Sequence, residues 1–275
     1  VKTSVKAVQQ VLAWCVEHEL VPGNSLQLPH FSFNLALLND IARVQRQLQQ
    51  ACYLDAPHQH SRLDNAARSQ QELKSIGLQP RQHRVLLKLN TPVDSGLGTA
   101  AEFIDIDWQQ LPLAQFDALL VVENLDCFYQ LHAFTPQLAY RQPLIIYRGD
   151  KLYSKGCKAL KTAWLKQNKP AIYFGDYDAK GVSIALNEGY SAMLLPDFAT
   201  LQQYASPAML PDKQLSFIAG IKAKAGAAEF LPYQQLLCQQ LKGLRQQNMQ
   251  GVVLKPISIR DLVNLTNHNS RLPKS

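Results

Sequence analysis

Two carboxylates one residue apart, Asp176 and Asp178, follow an apolar run in the stretch Ile172-Tyr173-Phe174-Gly175-Asp176-Tyr177-Asp178-Ala179-Lys180-Gly181. Oxygen donors of this kind suit a hard divalent cation, Mg²⁺ or Mn²⁺. The apolar run reads as a β-strand and Gly181 to Leu186 as the start of a helix. The pair therefore stands where a strand hands over to a helix N-terminus, the edge of an open α/β sheet at which ligands and metals bind.

A metal needs more than one such pair, and the flanking elements supply a third acid. Asp117 to Val122, Leu144 to Tyr147 and Ala171 to Phe174 are short continuous apolar runs separated by helical patterns. That is the β-α-β-α-β order of an α/β fold whose parallel sheet is buried on both faces. Met193-Leu194-Leu195 predicts a fourth strand. The first run leads straight into Glu123. Parallel strands share one carboxyl edge, so Glu123 converges on Asp176 and Asp178 if their strands are neighbours. Three carboxylates at one edge repel one another unless a cation is present. Gly181 either admits a phosphate oxygen to free helix N–H groups or, like Gly175, only serves the turn.

Other patterns imitate such a site. Asp105 and Asp107 alternate with Ile104 and Ile106 in a strand, the pattern of a solvated face, and His58-Gln59-His60 lacks a third ligand. An EF-hand loop beginning at Asp176 is excluded by Lys180 at its fifth position and Asn187 at its twelfth, where a bidentate glutamate is needed. A haloacid-dehalogenase-type phosphatase also starts with Asp-x-Asp after a strand, but Lys180 stands where threonine or valine is expected. That reading stays as an alternative.

Between the acidic strands, Lys151, Lys155, Lys158, Lys166 and Lys169 fall on one side of a helical wheel, and Tyr153, Cys157, Leu160 and Trp164 on the other. The lysine side is either a solvated face or a track for a phosphate backbone. A formal charge of +7 over 275 residues permits a nucleic-acid partner without requiring one. Five cysteines without a C-x-x-C pair read as small buried hydrophobes rather than a disulfide framework or zinc ribbon. No apolar run reaches a membrane-spanning length, and no signal-peptide core follows Val1, so the expectation is a soluble cytoplasmic protein without a membrane partner. A first residue other than methionine leaves room for residues upstream.

The N-terminal part predicts a helix on Val5, Val8, Leu12 and Cys15, a second with Leu35, Leu38, Ile41 and Leu48 inward, and a third starting at Asp64. Strands follow at Arg84 to Leu89 and Glu102 to Trp108. Helices and then a hairpin suggest a winged-helix-like α+β domain over residues 1–112, or an α+β packing domain without DNA contact. The α/β domain then spans 113–259 and a polar tail 260–275. Leu236, Leu237, Leu241 and Leu244 predict a helix ending near Asn248, before a strand at Val252 to Leu254.

The run LLVVENLDCFYQL with YFGDYDAKGVSIAL resembles a Toprim domain, the metal-binding fold of topoisomerases, primases and some nucleases. More narrowly it is similar to the Toprim nuclease subunit of Wadjet and related condensin-like plasmid-defence systems, akin to the A subunit of type IIB topoisomerases. The resemblance covers about Asp117 to Phe198. It implies a metal-dependent endonuclease that cuts double-stranded DNA with an SMC-type ATPase complex, often as a homodimer. By position, Glu123, Asp176 and Asp178 match the family's acidic triad, and Lys180 is placed to steady transition-state charge. Gly251 to Pro256 departs from the family where a glutamine-glutamate pair is expected. The topoisomerase relatives use a tyrosine nucleophile. Tyr53, the only tyrosine before Glu123, lacks their paired-tyrosine context and reads as a core or surface residue, which favours water as the nucleophile.

Overall fold

The structure, a computed structural model, describes residues 1–50, 52–55, 64, 79–150 and 152–260. The chain divides into two compact units, Val1–Pro80 and Arg81–Ser275. The expected third helix beyond Asp64, His58-Gln59-His60, Lys151 and residues 261–275 lie outside the described residues.

In the first unit, α1 (Lys6–Glu17) and α2 (Leu35–Gln47) pack a small core of Cys15, Leu37 and Ile41. Asn34 caps α2, its side chain accepting from the Leu37 N–H at 2.8 Å. The buried face of α2 is Leu37, Ile41 and Ala42, whereas Leu35 and Leu48, expected inward, are exposed. Leu37 and Ile41 are one turn apart and meet Cys15 together; Leu35, two positions away, must face elsewhere. Val5, just ahead of α1, is also exposed.

The second unit is built on an eight-stranded mixed sheet. Its strands are β1 (Arg84–Asp94), β2 (Ala100–Asp107), β3 (Ala118–Val122), β4 (Thr135–Pro136), β5 (Pro143–Tyr147), β6 (Ala171–Phe174), β7 (Ala192–Pro196) and β8 (Val253–Ser258). Their order is β2-β1-β5-β3-β6-β7-β8-β4, with the central β5-β3-β6-β7 block parallel. The helices are α3 (Leu125–Tyr129), α4 (Ser154–Leu165), α5 (Ala179–Asn187), α6 (Phe198–Tyr204), α7 (Ser216–Lys222) and α8 (Leu231–Gln240). Every residue of β3, β6 and β7 is buried, as continuous apolar strands in a two-sided parallel sheet require. Each large side chain fully buried there stabilises by about 1.5–3 kcal/mol.

Two boundaries differ from the sequence-based expectation. The β1–β2 hairpin does not belong with the N-terminal helices: Leu87 and Lys88 pair antiparallel with Ile146 and Ile145 of β5. Those ladder bonds extend the large sheet, so the units divide at Pro80 rather than near Pro112. The last helix stops at Gln240 instead of continuing to Asn248, because Leu241 turns left-handed with φ 54°. All five cysteines are buried and unpaired. Among the described residues no helix is long and apolar enough to cross a membrane.

Candidate functional site

The strands carrying the acids are direct neighbours. β3 and β6 run parallel with Val122 opposite Phe174, and the Glu123 N–H donates to the Phe174 carbonyl at 2.8 Å. Glu123 therefore leaves the sheet beside Gly175 and Asp176. Its Oε2 accepts from the Tyr173 hydroxyl at 2.5 Å, and its Oε1 lies 3.7 Å from the Arg148 guanidinium. Burial, and then the Glu123 charge, pushes the Tyr173 phenol well above its ordinary range, so it remains a donor. Gly175 is required by close approach: a Cβ there would lie 2.5 Å from Glu123 Oε2 and 2.7 Å from the Tyr173 ring.

A distant segment holds the Asp176 loop in place. After the left-handed turn at Leu241 the chain returns, and Leu244 exchanges two 2.8 Å backbone hydrogen bonds with Tyr177. Gly243 fits there because a Cβ would stand 2.9 Å from the Met209 carbonyl oxygen. That return delivers the Gln246 N–H to Asp176 Oδ1 at 2.8 Å. The fully buried Gln246 side chain donates to the Phe174 carbonyl at 3.2 Å and accepts from the Asn124 N–H at 3.1 Å, tying the two acidic strand ends together. Burial raises the Asp176 carboxyl pKa. The Gln246 N–H and Arg245 oppose that rise, while Asp178 and Glu123 add to it. The neighbouring Cys127 thiol is pushed up to about 12 by burial and then by Asp176, which keeps it protonated and inert.

Asp178 is oriented differently. It is 6% exposed and caps α5, Oδ1 accepting from the Gly181 N–H at 2.7 Å and Oδ2 from Gln214 Nε2 at 2.8 Å. Gln214 Oε1 in turn accepts from the Lys180 N–H at 2.9 Å. The N–H groups of Lys180 and Gly181 are thus already satisfied, so the start of α5 does not offer them to a phosphate. Gly181 has a steric reason instead, since a Cβ there would sit 2.0 Å from the Asp176 carbonyl oxygen. The Lys180 residue itself is exposed.

The backbone brings Glu123, Asp176 and Asp178 to one edge, and the side chains then divide. Among the described residues no group of three or more His, Cys, Asp or Glu side chains is gathered to hold a metal ion. Glu123 and Asp176 remain as a two-carboxylate set. Oxygen-only donors, and a carboxyl whose pKa is raised partly by its acidic neighbours, fit a Mg²⁺-like cation that takes one or two protein carboxylates and keeps its waters.

The lysine stripe is only partly on the surface. Lys155, Lys158 and Lys166 are exposed, and Cys157, Leu160 and Trp164 are buried as expected. Lys169 turns inward: its ammonium donates to the carbonyls of Leu113, Ala114 and Phe116 and lies 5.4 Å from the centroid of the Trp164 ring. Asp105 pairs with Arg84 and accepts from the Tyr153 hydroxyl at 3.0 Å, while Asp107 caps a short turn. In the first unit the Tyr53 hydroxyl donates to the Leu38 carbonyl at 3.1 Å.

Sequence reasoning missed Arg148, Gln214 and Gln246. Arg148 follows β5 directly, at the same carboxyl edge as Glu123, and that register was a usable signal. Nothing local marks the two glutamines, which act across 36 and 70 residues respectively. No curated protein matches the chain. Residues 76–254, which include the sheet up to the start of β8, Glu123, Asp176, Asp178 and Gln246, match the family described as a domain of unknown function, DUF7281, and the chain belongs to that family.

Proposed function

We propose that the protein is a metal-dependent DNA endonuclease of the Toprim kind that works with a condensin-like SMC ATPase complex against foreign circular DNA. The observation that carries this reading is the convergence of Glu123 and Asp176 on adjacent parallel strands, with their oxygens aligned by Tyr173 and Gln246. The SMC partner and the defence role rest on the resemblance of the two acidic motifs.

Glu123 and Asp176 would hold the cation, and Asp178 fixes the loop by capping α5. A divalent cation bound there supplies Lewis acidity to a phosphodiester oxygen and lowers the pKa of water. The Tyr173 hydroxyl and the Gln246 N–H keep the two carboxylates from rotating away. Glu123 accepts a proton from the attacking water or completes the cation's ligand set. Lys180, exposed on the first turn of α5, supplies positive charge to the transition state. Lys155, Lys158 and Lys166 add a salt-sensitive contact to the DNA backbone.

Asp178's two internal hydrogen bonds favour a second reading, a DNA-binding assembly subunit that does not cut. Incubating the protein with circular DNA and Mg²⁺ or Mn²⁺, with and without the ATPase partners, separates the two. Nicking or linearisation that disappears in Asp176→Ala supports the nuclease. Salt-sensitive binding with intact circles under every condition refutes it.

A further inference from the structure

We propose that a cavity between α4 and the turn after α5 is a binding site for a phosphate monoester, separate from the carboxylate edge. It encloses about 560 Å³, and its walls include Arg148, Lys158, Lys161, Thr162, Glu188 and Tyr190. That volume is in the range of small-ligand sites.

The charges in the cavity are unbalanced. Arg148 and Lys161 both reach Glu188, at 3.0 and 2.5 Å. Burial works against the Glu188 carboxylate, but Lys161 and Arg148 hold its pKa below the ordinary range, so it is ionised at neutral pH. Within the lining one carboxylate faces two cations, of which Arg148 is shared with Glu123 outside it, and Lys158, exposed at the rim, adds a third. The net positive charge suits an anion such as a phosphate monoester.

The donors also suit the ligand. Arg148 carries a planar guanidinium, the geometry that matches phosphate oxygens in pairs, shared at rest with Glu188 and Glu123. Tyr190 is fully buried, Lys161 lies 4.4 Å from the centre of its ring, and its hydroxyl has no hydrogen-bond partner. That hydroxyl is shut off from solvent, so the Tyr190 ring acts as a wall beneath Lys161 rather than as a donor to the ligand. The turn that closes the cavity is built for close packing: Gly189 has φ 86°, and a Cβ there would lie 2.6 Å from Leu165. Because Arg148 also stands 3.7 Å from Glu123, a ligand drawing on this guanidinium alters the charge beside the carboxylate edge. None of this depends on a metal at Glu123 and Asp176.

Isothermal titration of the whole chain, in EDTA at fixed ionic strength, tests the site. The probes are inorganic phosphate, a nucleoside monophosphate, and a 5′-phosphorylated oligonucleotide beside its 5′-hydroxyl twin. We expect saturable one-to-one binding, weakened about tenfold by Lys158→Ala and further by the charge reversal Lys158→Glu. Lys255→Ala, an exposed lysine on β8, should leave it unchanged. Lys158 is exposed, so both test variants should melt like the parent. Tighter binding of the mononucleotide identifies a nucleotide site, and a gain confined to the 5′-phosphorylated strand identifies a DNA end. Absence of saturable binding by every probe, or parental affinity in both Lys158→Ala and Lys158→Glu, would overturn the proposal.

Discussion

Asp178→Ala tests whether the second aspartate is chiefly a scaffold. In the folded chain one of its oxygens caps α5 through the Gly181 N–H, and the other receives the amide of Gln214, itself 8% exposed. Losing the cap costs about 1 kcal/mol. Leaving the Gln214 donor unpaired in the interior costs about 1–3 kcal/mol more. Together the substitution should destabilise the second unit by about 2–4 kcal/mol, which for a unit of this size lowers Tm by roughly 5–15 °C. Asp178→Asn keeps an oxygen for Gly181 but turns an amide towards an amide, and should cost about half as much. Urea unfolding followed by circular dichroism at pH 7 in EDTA measures both, with the m value expected to stay constant. If both variants unfold within about 0.5 kcal/mol of the parent, the scaffold argument is wrong.

Asp176→Asn should have the opposite sign and raise stability at neutral pH. Its carboxyl pKa is raised from 3.8 in the fold, so the stability the group contributes is present below 3.8 and lost as pH rises through the folded value. The variant's advantage should therefore grow across that window in thermal melts and vanish below it, while Mn²⁺ binding in a titration is lost. Gly175→Ala forces a methyl against Glu123 and Tyr173; about 1–3 kcal/mol of overpacking and weaker Mn²⁺ binding should appear together in melts and titrations. Glu188→Gln leaves Lys161, 7% exposed, without its carboxylate and should cost about 1 kcal/mol, a value kept small by the exposure of Glu188. Because the Glu188 pKa is depressed, that cost should be present above about 4.5 and disappear as pH falls through the folded value.

Much of the central sheet could be read from the chain because it is locally encoded. Residues 118–122, 144–147, 171–174 and 193–195 are continuous apolar runs, and each lies within a strand. The hairpin's strands were equally visible, but their partner was not: nothing in Leu87 and Lys88 states that they pair with β5. The inward face of α2 was misread because Leu35 and Leu37 are alike in hydrophobicity, and only the position of Cys15 selects between them.

At the site, residue type and strand order alone placed Glu123 and Asp176 at one edge, since parallel strands must end on the same side. Tertiary structure decided what each carboxylate does there. Asp176 and Asp178 are chemically identical and two residues apart, yet Gln246 leaves the first half-buried at the edge while Gly181 and Gln214 turn the second into the fold. A side chain's environment is set by whatever packs around it. Here Gln214 and Gln246 arrive from segments whose own sequence carries no mark of the site.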